Sequence, residues 1–343
     1  MAADDQSISI GDLCLAPRGE AGSVAFNVAE LAARQIEQRT GVTPAIGSEG
    51  QQPSQLVFGT LADPELTALA QGEALGPDGF LLLTEPDAAK RLFVIGQSDS
   101  GLVAGVGKLL RLGHYSEGRL ALPKLRLTSS PAMPVRGMYF ASHFGNFYEV
   151  APYEDVDQVI EDLALWGCNN LFVWFDQHQY SDFHDPAAQK HFQRLKHFGE
   201  TAHRFGMKFG LTCLANEGYG ASPPELRIAP GTFGAYGVEI CPSKPGGLEL
   251  IVKNLEEIAL AFVEVDGFWL WPYDQGGCWC DECQPWGGNG FLRCCDALGA
   301  MYHRHFPKAE IWLSTWKMDY FPKTQGEIAR SEERRVGKEC RSR

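Results

Sequence analysis

Strand and helix signals alternate beyond residue 131, and this alternation predicts an α/β protein. The expected architecture is a small α/β domain at residues 1–130 followed by a truncated (β/α)8 barrel of the TIM type at residues 131–329, with about five strands present. Two observations support the division. All eight tryptophans lie at or beyond Trp166, so the two parts differ in composition. The segment between them, S-P-A-M-P-V-R, carries two prolines that stiffen it as a linker.

Residues 22–41 form a helical pattern, with Ser23 as its cap and Val24, Val28, Leu31 and Ile36 near helical spacing. Residues 56–59, 80–83 and 92–96 read as strands. A helix follows over 99–112, and its Gly101, Gly105 and Gly107 fall in the wrong order for a nucleotide loop, so close packing is expected of them. In the second part strands are expected at 137–142, 170–176, 208–215, 267–271 and 310–316. Helices are expected at 153–167, 187–205, 248–263 and 290–305. The run F-W-L-W at 268–271 suits a strand buried on both faces, and Pro272 ends its ladder by removing a donor. A full barrel takes about 250 residues. Strands six to eight are therefore expected to be missing.

The formal net charge of −13 argues against a nucleic-acid partner and suits a neutral ligand. No stretch reaches the roughly 18 apolar residues that a membrane span needs. The first residues, M-A-A-D-D-Q-S, lack the features of a signal peptide, which reads as cytoplasmic. An incomplete N-terminus would leave a periplasmic or extracellular location open. Residues 330–343, R-S-E-E-R-R-V-G-K-E-C-R-S-R, resemble the in-frame translation of a sequencing-library adapter, so this tail is expected to be non-native. The chain is accordingly expected to be an unstable, inactive fragment.

Parallel strands gather their C-terminal ends on one face, where ligands bind. That face would collect His143, then Trp174 and Asp176, then Asn216 and Glu217, then Trp271, Tyr273 and Asp274, and finally Trp316. Each strand end offers a polar group beside an aromatic ring, the pattern of a sugar site. Glycoside hydrolysis needs two carboxyl groups, one of which protonates the leaving oxygen. Asp274 is the first candidate acid, because it follows the strand-four tryptophans in a glycine-rich turn, and Glu217 is its candidate partner. His143, Trp174, Asp176, Asn216, Trp271, Tyr273 and Trp316 are the expected substrate contacts. Barrel interiors also consume large side chains, and strand-end acids also cap helices. No cofactor is expected to be required for catalysis.

Cys278, Cys280 and Cys283 are spaced C-x-C-x2-C, and Cys241 opens the turn before the helix that leads into strand four. Loops after strands three and four are neighbours in a barrel, so the four sulfurs can meet. A tetrahedral thiolate set suits structural zinc. Disulfide pairing in an exported protein and reduced free thiols both remain open. Cys294 and Cys295 lie within a helix and read as core.

The chain resembles two-domain carbohydrate-active enzymes that carry the N-terminal α/β domain of family 20 β-hexosaminidases and family 67 α-glucuronidases. The resemblance rests on L-V-F-G-T at 56–60, D-G-F-L-L-L at 78–83, R-L-F-V-I-G-Q-S-D-S-G-L-V-A-G-V-G-K-L-L at 91–110 and P-V-R-G-M at 134–138. Family 20 enzymes carry an Asp-Glu pair at the fourth strand end, where this chain has Asp274 and Gln275. The segments I-C-P-S-K-P and W-P-Y-D-Q-G-G-C-W-C-D-E-C look like those of poorly characterised bacterial relatives. The resemblance implies a glycosidase acting on an oligo- or polysaccharide and leaves the sugar undefined. A non-catalytic carbohydrate-binding protein on a degenerate barrel and a cysteine-ligated metalloprotein are the rival readings.

Overall fold

The computed structural model of the chain describes residues 6–85, 91–229, 236–262, 264–274, 276–320 and 322–332. Gln275 and most of residues 330–343, expected to be non-native, lie outside the described residues. The first elements are β1 (Gln6–Ser9), β2 (Leu13–Pro17), α1 (Val24–Thr40), β3 (Ala45–Ile46), β4 (Ser54–Thr60) and α2 (Pro64–Leu69). They are followed by β5 (Phe80–Thr84), β6 (Arg91–Gly96), α3 (Asp99–Leu112), β7 (His114–Ser116), β8 (Arg119–Leu122) and β9 (Arg126–Ser129). Then come β10 (Gly137–Phe140), α4 (Phe147–Val150), α5 (Tyr153–Leu165), β11 (Asn170–Trp174), α6 (Pro186–Arg204) and β12 (Lys208–Leu214). The last are α7 (Gly247–Ala261), β13 (Gly267–Trp271), α8 (Gly290–His305) and β14 (Glu310–Leu313). The fold is α/β, as the alternation predicts.

Two compact units divide the chain. One comprises residues 1–138, 152–171 and 200–208, and the other comprises 139–151, 172–199 and 209–343. The first unit carries a six-stranded sheet in the order β3-β2-β4-β6-β5-β9. Strands β3, β2, β4 and β6 run parallel, while β5 is antiparallel to β6 and β9. Ala16, Val57, Leu66, Leu81, Phe93 and Ile95 form a buried cluster there. A second, antiparallel sheet has the order β1-β8-β7. Helix α1 begins where Ser23 Oγ accepts from the Phe26 N–H and ends at Gly41, whose φ of 73° suits glycine. The glycines of α3 do serve close packing: a Cβ at Gly107 would collide with the Leu165 carbonyl. Strands β1, β2, β3, β7, β8 and β9 are additional to the expected ones.

The proline-rich segment before β10 is anchored by polar contacts. Arg136 Nη2 and Asn169 Nδ2 donate to Asp78 Oδ2 at 2.9 and 2.8 Å, and Ser98 Oγ donates to Oδ1 at 2.6 Å. Burial works against the Asp78 carboxylate, but the hydrogen bonds from Ser98, Arg136 and Asn169 outweigh it and hold the group below its usual range.

The remaining sheet has the order β10-β11-β12-β13-β14. Strand β12 pairs parallel with β13, and β13 pairs parallel with β14. Gly267 of β13 leaves the space that the Trp312 ring fills, since a Cβ there would overlap the indole. Phe172 meets Trp269 and Trp312 edge-on at centroid distances of 5.3 and 5.4 Å, so aromatic rings occupy this layer. Strand β13 ends at Trp271, before Pro272. Strand β14 ends at Leu313 rather than at residue 316, because Ser314 Oγ accepts from the Trp316 N–H and starts a turn. Strand β10 likewise stops at Phe140, and Ser142 Oγ donates instead to the Trp174 carbonyl. Among the described residues no helix is long and apolar enough to cross a membrane.

Candidate active site at the strand ends

Acidic side chains follow three successive strands. Asp176 comes just after β11 and its side chain is fully buried. Gln179 Nε2 donates to Asp176 Oδ2 at 2.9 Å, and the His178 Nδ1 position bonds Oδ1. Glu217 follows β12 and is 1% exposed. Its Oε2 accepts from Trp174 Nε1 at 3.0 Å and its Oε1 from the Gln177 N–H at 2.7 Å. One ligand-capable atom each from Asp176, His178 and Glu217 falls within 4.8 Å of the others. Burial, and then the neighbouring Asp176, push the Glu217 carboxyl well above the usual carboxylate range.

Asp274 differs from both. It follows β13, its side chain is 40% exposed, and Lys317 Nζ lies 2.8 Å from its Oδ1. Asp274 and Lys317 both have positive φ, 65° and 60°. Left-handed non-glycine residues cost about 1–3 kcal/mol each and concentrate at functional sites.

The three acids act on a common neighbour. Burial, and then the charges of Asp176, Glu217 and Asp274, raise the Tyr139 hydroxyl above the ordinary phenol range. The same forces raise Tyr236. Tyr139 Oη lies 3.1 Å from His143 Nε2, and its ring is 5.2 Å from the Trp271 ring. His143 meets Trp174 edge-on at 4.9 Å, and burial keeps the imidazole below its usual range against the pull of Asp176. Tyr236 stacks on His178 at 3.5 Å with 6° between the ring planes.

Four polar groups around this cluster are buried without a hydrogen-bond partner among the described residues. They are His143 Nδ1, the Gln177 side-chain amide, the Tyr236 hydroxyl and Trp271 Nε1. An orphaned buried donor or acceptor costs about 1–3 kcal/mol, so such groups call for a partner.

Other expected site residues have different surroundings. Asn216 spends its amide on main chain: Nδ2 donates to the Ile240 and Gly277 carbonyls and Oδ1 accepts from the Gly277 N–H. The Tyr273 ring is buried, and its hydroxyl donates to Glu327 Oε1 at 2.8 Å. Trp316 is exposed, with Lys317 Nζ 6.0 Å from its ring centroid. Tyr139, Gln177, His178, Tyr236 and Lys317 join the cluster without having been singled out as contacts. Lys317 had a readable signal, a lone basic residue directly after the fifth strand end. Tyr236 lies in a long segment without periodicity, which offers none.

Cys241, Cys278, Cys280 and Cys283 place their sulfurs within 4.8 Å of one another. Cys241 Sγ is 3.8 Å from Cys280 and 3.9 Å from Cys283, and Cys278 Sγ is 3.6 Å from Cys280. A disulfide requires about 2.05 Å. No disulfide links these four cysteines in this structure. Cys294 and Cys295 are buried in α8.

No family model matches the chain, and no curated protein matches it. Solved structures do. A mutant Streptomyces plicatus beta-hexosaminidase in complex with its product GlcNAc superposes with a TM-score of 0.64 at 13% identity, covering 93% of this chain and 64% of that one. A family 20 exo beta-N-acetylglucosaminidase mutant from Vibrio harveyi gives 0.60 at 16% identity, covering 92% and 56%. The family 20 beta-N-acetylhexosaminidase from Streptomyces coelicolor gives 0.65 at 14% identity, covering 91% and 64%. The chain thus spans less than two thirds of the length of these neighbours, and it shares their α/β fold.

Proposed function

We propose that the strand-end cluster binds a pyranoside and that the site is that of a glycosidase. The observation that carries this reading is the set of orphaned polar atoms on His143, Gln177, Tyr236 and Trp271 beside three acids and flat aromatic rings. Sugar hydroxyls supply both donors and acceptors to such atoms, while the ring face packs on aromatic carbon. The acids then divide the work by exposure. Asp274, the exposed member, donates a proton to the glycosidic oxygen as its bond to the anomeric carbon breaks, and a solvent water adds to that carbon and releases the proton that restores Asp274. Asp176 and Glu217, both buried and close to one another, present their carboxyl oxygens to the oxocarbenium-like transition state. Asn216 and Tyr273 support the loop instead of touching the sugar.

The product bound in one structural neighbour makes aryl N-acetylglucosaminides the first substrates to assay, within a panel of aryl glycosides. Asp274→Asn is expected to lower kcat by about 10²- to 10⁴-fold, the usual worth of a general acid or base, with ligand binding retained. Unchanged turnover in that variant would remove Asp274 from the mechanism. Binding without released sugar, in the unaltered chain, would favour a carbohydrate-binding role.

A further inference from the structure

We propose that Cys241, Cys278, Cys280 and Cys283 form a closed, four-thiolate structural site for a single zinc ion. Zinc bonds thiolate sulfur at about 2.3 Å, and a regular tetrahedron with that radius has edges of about 3.8 Å. The sulfur separations of 3.6, 3.8 and 3.9 Å match that edge. They leave room for one ion and none for a multi-iron cluster, whose cysteines are spread over several metals. The soft, all-sulfur donor set selects zinc over magnesium or calcium.

The surroundings fit a structural role. Cys241, Cys278 and Cys283 are buried and Cys280 is half-buried, so no coordination position faces a substrate. Ser243 Oγ lies 3.1 Å from Cys283 Sγ and accepts from Arg293 Nη1 at 2.7 Å. Four thiolates around one divalent ion carry a net double negative charge, which the Ser243 hydrogen bond and the nearby guanidinium offset. The loop itself needs such a clamp. Residues 272–289 contain no helix or strand among those described, and Cys241 reaches them from a segment that precedes α7. An ion bonded to both segments would fasten them to each other beside the buried Ile240 and Trp286.

The inference does not depend on the glycosidase reading, and its test reads metal rather than turnover. The full chain is purified under reducing conditions, its metal is counted, and the chelator-treated protein is titrated with Co²⁺ alone. About one zinc per chain and a thiolate-to-cobalt charge-transfer band with tetrahedral ligand-field absorption are the expected results. In Cys241→Ser and Cys283→Ser, competition with a chelator should show zinc affinity lowered by at least about 10-fold, as should Ser243→Ala, with its cobalt spectrum retained. Cys168→Ser, outside the cluster, should leave affinity unchanged. If a cysteine variant fails to fold, the stoichiometry and cobalt spectrum of the unaltered chain decide. Substoichiometric metal in folded protein, a cobalt spectrum without thiolate charge transfer, or disulfides among these cysteines in freshly isolated protein would each overturn the proposal.

Discussion

Asn216 and Gly277 are joined twice: the Gly277 N–H donates to Asn216 Oδ1 at 2.9 Å, and Asn216 Nδ2 donates back to the Gly277 carbonyl at 2.9 Å. The same Nδ2 donates to the Ile240 carbonyl at 3.0 Å. One buried side chain beyond β12 therefore ties the segment that enters Cys241 to the loop that enters Cys278.

Removing that tie should be costly. Asn216→Ala deletes three hydrogen bonds and leaves main-chain groups of Ile240 and Gly277 unsatisfied, so a loss of about 2–4 kcal/mol is expected. Urea titration measures it directly. A change below about 0.5 kcal/mol would mean that water or a rearranged loop replaces the amide without loss.

Glu217 predicts the pH response of the site. Its carboxyl is raised above the ordinary glutamate value of about 4.3, so the folded chain keeps a proton that the unfolded chain releases. Stability from this group is fully present below that ordinary value and is lost as pH rises through the folded value. Glu217→Gln mimics the protonated form, and its thermal unfolding should depend less on pH over that window than that of the unaltered chain. Parallel profiles for the two proteins would show that Glu217 is ionised in the fold.

Asp78 predicts the opposite slope. Hydrogen bonds from Ser98, Arg136 and Asn169 hold it below the ordinary aspartate value of about 3.9. Its contribution is present above that value and is lost as pH falls through the folded one. Asp78→Asn should destabilise by about 1–3 kcal/mol at neutral pH, since charge-assisted bonds are worth that much, and the difference should shrink in acid. Equal stability of the two proteins at neutral pH would sink the assignment.

Much of the frame was legible in the chain because strong periodicity and prolines are local signals. The run Phe268 to Trp271 and the stop at Pro272 needed no tertiary knowledge. The burial of Glu217, the partner of Tyr273 and the clamp made by Asn216 were not legible, because each depends on a group 40 or more residues away in the chain. Asp274 and Glu217 look alike as strand-end acids, and only packing separates an exposed, lysine-paired carboxylate from one sealed beneath an indole. Tyr139 illustrates the converse. A tyrosine in a strand reads as core, yet three carboxyl groups converge on it.

The five-stranded sheet has β10 at one margin and β14 at the other, and among the described residues neither margin is covered by a further strand. Leu313 and Trp316 stand exposed beside the second margin. Such a border is a template onto which any extended segment can zip, including the margin of another copy. The two selvedges of this one ribbon are where an added strand would lie, and the net charge of −13 opposes the approach of a second copy to either.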